Sequence, residues 1–353
     1  MLKSACLYLA LLLSLWHNAS AQWLPQASGT TVRLRGVSAV SATVAWASGD
    51  KGTFLRTTDG GRTWRAQTVP GAEELDFRDV DAFDADTAYL LAIGAGEKSR
   101  IYKTTDGGRS WALQFKNDRP AAFFDCMSFW DAQHGLAISD PVAERFLVII
   151  TADGGKSWQE TPAQGLPPAL AGEGAFAASG TCVATQGQAR AWFATGGPIG
   201  ARVFRSADRG RTWQVATTPL TSGQSAGIFS VTFWDALNGV AVGGDYAKEQ
   251  EVGDNAAWSS DGGRTWQLVA TNRPHGYRSA VALLSSARPP TLVAVGPTGA
   301  DYSLNRGQSW RPIAAAGYHS VSFAQHGAVG WAVGEGGRVA KYVARPRINR
   351  RRR

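Results

Sequence analysis

The stretch TTDGGRTW, Thr57 to Trp64, decides how this chain folds, because it returns along the sequence with the pattern Ser/Thr-x-Asp-x-Gly-x-Ser/Thr-Trp. Full copies run from Thr104 to Trp111, Thr151 to Trp158, Ser206 to Trp213 and Ser259 to Trp266, and a worn copy, SLNRGQSW, runs from Ser303 to Trp310. Their starts lie 47, 47, 55, 53 and 44 residues apart, a period that accommodates about four short strands per repeat. The residue types suit a hairpin turn. Asp59, Asp106, Asp153, Asp208 and Asp261, with Asn305 in the worn copy, can accept hydrogen bonds from turn N–H groups. The second glycine can take positive φ, and the tryptophan supplies an apolar plate beneath. These residues are expected to be structural, with no chemistry of their own.

On these boxes the chain resembles the Asp-box, or BNR-repeat, β-propellers, a superfamily that includes the sialidases. A second repeat counts the blades. An apolar residue followed by Ala-x-Gly, with Ser once in place of Gly, recurs seven times, ending at Gly49, Gly94, Ser139, Gly196, Gly243, Gly296 and Gly334. Seven such units against six boxes leave one blade without a box or the outer strand after it. Trp23-Leu24-Pro25-Gln26 looks like such an outer strand. The expected fold is therefore all-β: a single seven-bladed propeller over residues 22 to 344, in which residues 22 to 28 complete a last blade built from 317 to 344. Such pairing of the chain ends would leave no open sheet edge.

The ends carry different signals. Lys3, the apolar run Leu7 to Leu15 and Ala19-Ser20-Ala21 read as a secretory signal peptide cleaved after Ala21, which predicts a periplasmic or secreted protein. The chain has 36 basic and 28 acidic residues, but six arginines lie in the tail Arg345 to Arg353, so the body is nearly neutral. The tail is expected to be disordered and suited to an anionic membrane surface. Export argues against nucleic acid. Cys126 and Cys182 make an even pair after cleavage and are candidates for a disulfide. The scattered histidines offer no metal-ligand cluster, no dinucleotide fingerprint occurs, and neither cofactor nor metal is expected.

Candidate ligand-binding residues follow from blade geometry. The face opposite the boxes carries the channel mouth. Stepping back two residues from the apolar positions Val37, Val80, Met127, Cys182, Val231, Ala280 and Val321 gives the ring Arg35, Arg78, Asp125, Gly180, Phe229, Arg278 and His319. Just past the Ala-x-Gly units, the same face should carry Asp50, Asp140, Asp245, Tyr246 and Glu335. Arginines converging there suit carboxylate, sulfate or phosphate groups. Intrablade pairing, Arg35 with Asp50 or His319 with Glu335, is the competing expectation. Three longer segments, Asp140 to Arg145, Gly165 to Gly174 and Gly243 to Asn255, should overhang this face, and the last reads as a recognition loop.

Two functions compete. A glycoside hydrolase needs a carboxylate pair flanking the scissile bond, for which Asp125, Asp140, Glu173 and Asp245 are weak candidates. The Arg-Ile-Pro motif of sialidases is absent. Over nearly the whole chain the sequence is more similar to the single-domain propellers of the photosystem II stability and assembly factors. That resemblance implies a monomeric, non-catalytic propeller that binds an envelope or secreted protein, or an anionic or glycan ligand, through an arginine-bearing face.

Overall fold

Each box folds into the same self-contained turn. In the first, Asp59 accepts from the backbone N–H of Thr63 at 2.9 Å and from its hydroxyl at 2.6 Å, while the Thr57 hydroxyl accepts from the N–H of Gly61 at 2.8 Å. The hydroxyl and amide of Thr63 hold the Asp59 carboxyl down to about 2, as expected of a carboxylate whose charged form is hydrogen-bonded. The worn copy keeps the geometry with an amide: Asn305 accepts from the Ser309 N–H at 3.0 Å and donates to its hydroxyl at 2.9 Å. The aspartates of the boxes are thus used up inside their own turns.

The computed structural model describes residues 22–284, 290–325 and 328–343; the signal segment 1–21 and the basic tail 345–353 read from the sequence lie outside them. Among the described residues, twenty-eight strands form seven four-stranded antiparallel sheets, with three short 3-10 turns between strands. Six sheets use consecutive strands. In the seventh, Gln22–Gln26 pairs antiparallel with Val339–Val343, outside Val329–Val333 and Ser320–Phe323. The ring therefore closes through the chain ends, as Trp23 suggested. Trp23 is buried between Tyr318 and Tyr342, with ring centroids 5.5 and 5.3 Å away. Gln26 carries the closure into blade one, since its Oε1 accepts 3.0 Å bonds from the indoles of both Trp64 and Trp331.

Hydrophobic packing runs between blades. Trp46 and Phe54 of blade one meet Phe77 and Leu90 of blade two, and Phe146 of blade three meets Phe193 at a tilt and Phe204 edge-on in blade four. The small residues of the Ala-x-Gly repeat have a steric cause. A Cβ on Gly49, Gly243 or Gly296 would come within 2.3, 1.9 or 2.2 Å of a backbone carbonyl oxygen where the first strand is entered.

Near the axis, side chains join every pair of neighbouring blades. Ala39 N–H donates to Ser322, Ala82 N–H to Ser38, and Met127 and Phe129 N–H to Asp79 and Asp81. Thr185 donates to the Phe129 carbonyl, Thr181 to Ser230, Val281 N–H to Ser230, and Ser279 to the His319 carbonyl. A disulfide between Cys126 and Cys182, with Cα atoms 6.1 Å apart, adds a covalent link between blades three and four.

The segment before blade four crosses the ring and plugs it. The Ser179 hydroxyl donates to the Ser279 carbonyl and its own carbonyl accepts from Ser320, reaching blades six and seven. Ala177 O accepts from Arg78 of blade two, and Ala175 N–H donates to Asp140 of blade three. Gly180, at φ +75°, lies so close to Asp79 that a Cβ would stand 2.2 Å from its carboxylate. One short run of chain thereby touches the far side of the ring.

Two stability outcomes follow. Trp23→Ala, which removes the plate at the closing blade, should cost about 3–5 kcal/mol in urea denaturation. Replacing Cys126 and Cys182 by serine should cost about 4 kcal/mol, an effect reproduced in the native chain by reductant.

Candidate functional site

At the mouth opposite the boxes, above the plug, lies a cavity of about 410 Å³. Its polar side chains are delivered by a shared backbone device. In blades one, two, three and five the pairing of the innermost strand with its neighbour slips by one residue, and the residue left out is Arg35, Arg78, Asp125 or Phe229. Such bulges re-aim a side chain away from the sheet, here into the mouth. Four positions of the sequence-derived ring are therefore bulge residues, and all four line the cavity together with His319.

Arg35 has no hydrogen-bond or ion-pair partner among the described residues, and its Nε is buried. Burial, and then the neighbouring Arg78, pulls its guanidinium down to about 10, so it stays charged at neutral pH. The pairing with Asp50 anticipated for it goes instead to Arg33, whose Nε lies 3.0 Å from Asp50. Arg78 is held in place, with its Nε 2.8 Å from Asp76 and a terminal nitrogen 2.9 Å from the Ala177 carbonyl. His319 is 2.8 Å from Glu335, the anticipated pair. Burial outweighs that contact and lowers the imidazole to about 4, with Arg35 pushing the same way.

Asp125 and Asp140 lie close together in the cavity wall, on the blade next to Arg78. Asp125 is 1% exposed and its Oδ2 has no partner among the described residues. Burial and then the Asp140 charge raise it well above the usual carboxylate range. Asp140, which accepts from Ala175 N–H at 2.9 Å, is raised by burial to about 6. The pair consequently holds a proton at mildly acidic pH. An apolar wall stands beside it. Phe176 of the plug stacks on Phe229 with centroids 3.9 Å apart, and Tyr246 and Tyr277 meet Phe229 edge-on.

The other candidates sit elsewhere. Arg278, 1% exposed, is consumed by a buried ion pair with Asp301, to which Nε donates at 2.8 Å, and it does not line the cavity. Gly180 belongs to the plug. Glu173 is buried against Arg202 and Thr195, fastening the segment Gly165 to Gly174 to blade four. Asp245 caps the N–H of Ala247 at 2.9 Å, starting the loop that brings Tyr246 and Glu249 to the cavity rim. Val252 of the same loop is 56% exposed. Sequence reasoning missed Phe176, Tyr277 and the plug. The 55-residue gap between the third and fourth boxes was the signal, since it exceeds what four strands need.

The family model described as Photosynthesis system II assembly factor YCF48 matches residues 16–122. Among solved structures, YCF48 bound to D1 peptide is 18% identical over 93% of this chain and 97% of its own, with a TM-score of 0.64. YCF48 from Cyanidioschyzon merolae is 15% identical over 92% of this chain and 99% of its own, also at 0.64. The GH74 enzyme of Niastella koreensis is 14% identical over 90% of this chain and 53% of its own, at 0.62. No curated protein sequence matches the chain. At these identities the structural likeness establishes the seven-bladed fold, and the family match accords with the resemblance read from the boxes.

The acid pair makes a testable pH signature. A carboxyl raised in the fold keeps a proton that the unfolded chain releases near its ordinary value, so its ionisation costs stability as pH rises from about 4 through 6. His319, lowered in the fold, has the opposite sign over the same range. The difference between native protein and Asp140→Asn isolates the pair: in urea denaturation the native chain should lose stability relative to the variant between pH 4 and 7.

Proposed function

We propose that this protein is a non-catalytic binding propeller, exported from the cytoplasm, that docks a segment of a partner protein at the channel mouth, with Arg35 as the anchor for an acidic group. The observation that carries the reading is Arg35 itself: a charged guanidinium on the cavity wall, without an internal partner among the described residues. Burying such a group uncompensated is costly, and a carboxylate from outside would supply the charge-assisted bonds it lacks. Arg78 is already satisfied by Asp76 and the plug and adds to the local positive field. The Phe176, Phe229 and Tyr246 wall offers apolar contact to the rest of a docked segment. The likeness to a propeller bound to a peptide supports a protein partner over a small anion.

Hydrolysis fits the site less well. Asp125 and Asp140 stand on paired neighbouring strands in one wall, rather than on either side of a cleft where a glycosidic bond would lie. Glu173 and Asp245 are outside the cavity walls.

The reading is tested with an array of short acidic and neutral peptides. Acidic peptides should be retained, and Arg35→Ala should weaken them by about tenfold or more, whereas Glu97→Gln, in an exposed pair with Lys116 outside the cavity, should leave them unchanged. Equal retention by the Arg35→Ala variant would remove the anchor. Turnover of a glycan that Asp140→Asn abolishes would replace binding with hydrolysis.

A further inference from the structure

The face that carries the boxes has its own chemistry, independent of the mouth. The residue before the second Ser/Thr of each box is Arg62, Arg109, Lys156, Arg211, Arg264 and Gln308. Every one of these side chains is exposed, and the turn geometry repeats them around one rim of the disk. The box aspartates lie behind them with their oxygens occupied by turn N–H and hydroxyl groups. Other acids of this face are also engaged: Asp86 faces Arg56, and Asp131 and Asp235 cap their own loops. The face carries both signs: the acids keep their charge but are engaged within their own turns and loops, and the cations stand on the longer, exposed side chains.

Two further features share this face. Leu237 and Leu304 are 51% and 48% exposed on adjacent blades. The Leu237 carbonyl accepts from Gly262 in the fifth box, and Arg306 of the sixth box acts on Asp235 beside it. The last described strand, Val339–Val343, also ends here, since Lys341 donates to the Gly60 carbonyl in the first box at 2.8 Å.

We propose that the box face is a docking surface for an anionic lipid bilayer, with the box cations meeting headgroups and Leu237 and Leu304 entering the interface. A broad rim of separated cations matches a laterally extended negative surface, where each lysine or arginine adds to the attraction. Apolar side chains protruding among them favour a bilayer over a purely polar polyanion. The orientation has a consequence: the cavity mouth faces away from the lipid, open to segments of membrane proteins standing above it.

Sedimentation with phosphatidylcholine vesicles, with and without phosphatidylglycerol, tests this on the chain from Gln22 onward, which contains the whole ring. Binding should require phosphatidylglycerol and weaken as salt is raised. The combined variant Arg62→Gln, Arg109→Gln, Lys156→Gln, Arg211→Gln and Arg264→Gln, checked for an unchanged thermal transition, should lose at least about tenfold in partitioning. Leu237→Ser with Leu304→Ser should lose severalfold while keeping the salt dependence. An environment-sensitive dye on Gln308→Cys should shift to the blue on vesicles, and the same dye on Tyr246→Cys should not. Native partitioning by the five-site variant would assign the effect to the arginine tail alone and overturn the proposal. So would capture by heparin without capture by vesicles, or a blue shift at Tyr246→Cys.

Discussion

A side chain at every junction between innermost strands fixes the diameter of this ring, and the site depends on that diameter. Apolar packing between blades supplies most of the cohesion, but it is tolerant of sliding. Hydrogen bonds such as Ala39 to Ser322, Met127 to Asp79 and Val281 to Ser230 have narrow distance and angle requirements. With the inner strands held at one spacing, a single segment can span the opening and satisfy its own polar groups on opposite walls. Ser179 does so by bonding to blades six and seven while Gly180 rests on Asp79 of blade two. The plug turns an axial channel into a cavity with a floor.

The electrostatics of that cavity come from confinement. Arg35 and Arg78 would repel less in open solvent; beside the plug they share a poorly hydrated wall, and burial lowers Arg35 while leaving it charged. In the same cavity Asp125 and Asp140 are raised by the same loss of water. Opposite charges therefore face one cavity without pairing off directly, because Arg78 is already bound to Asp76 and the plug. This division separates the site from Arg278 and Asp301, where the same residue types collapse into a buried pair.

Much of this was legible in the residues. The boxes and the Ala-x-Gly units placed seven blades correctly and directed attention to Trp23 as the closing strand. The two-residue step back from the apolar positions picked out Arg35, Arg78, Asp125 and Phe229, and it did so because these four blades carry their bulge at the same place. The rule has no means of telling Arg35 from Arg278. Both are arginines at the same step in the count, but Arg278 precedes a strand without the bulge and meets Asp301 within blade six. Phe176 and Ser179 were unreadable for a related reason: nothing local in Phe-Ala-Ala-Ser-Gly says which blades it will touch.

By itself the sequence determined the repeat, the number of blades, the closure through the N-terminal strand and the shared position of Arg35, Arg78, Asp125 and Phe229 on one face. These follow from local turn chemistry and periodicity, which act over a few residues and repeat identically. Only the tertiary structure decided which charges are free, which are paired and what closes the channel. Those outcomes depend on contacts between blades far apart in the chain, where the energy of a charge is set by the water and partners the fold leaves around it.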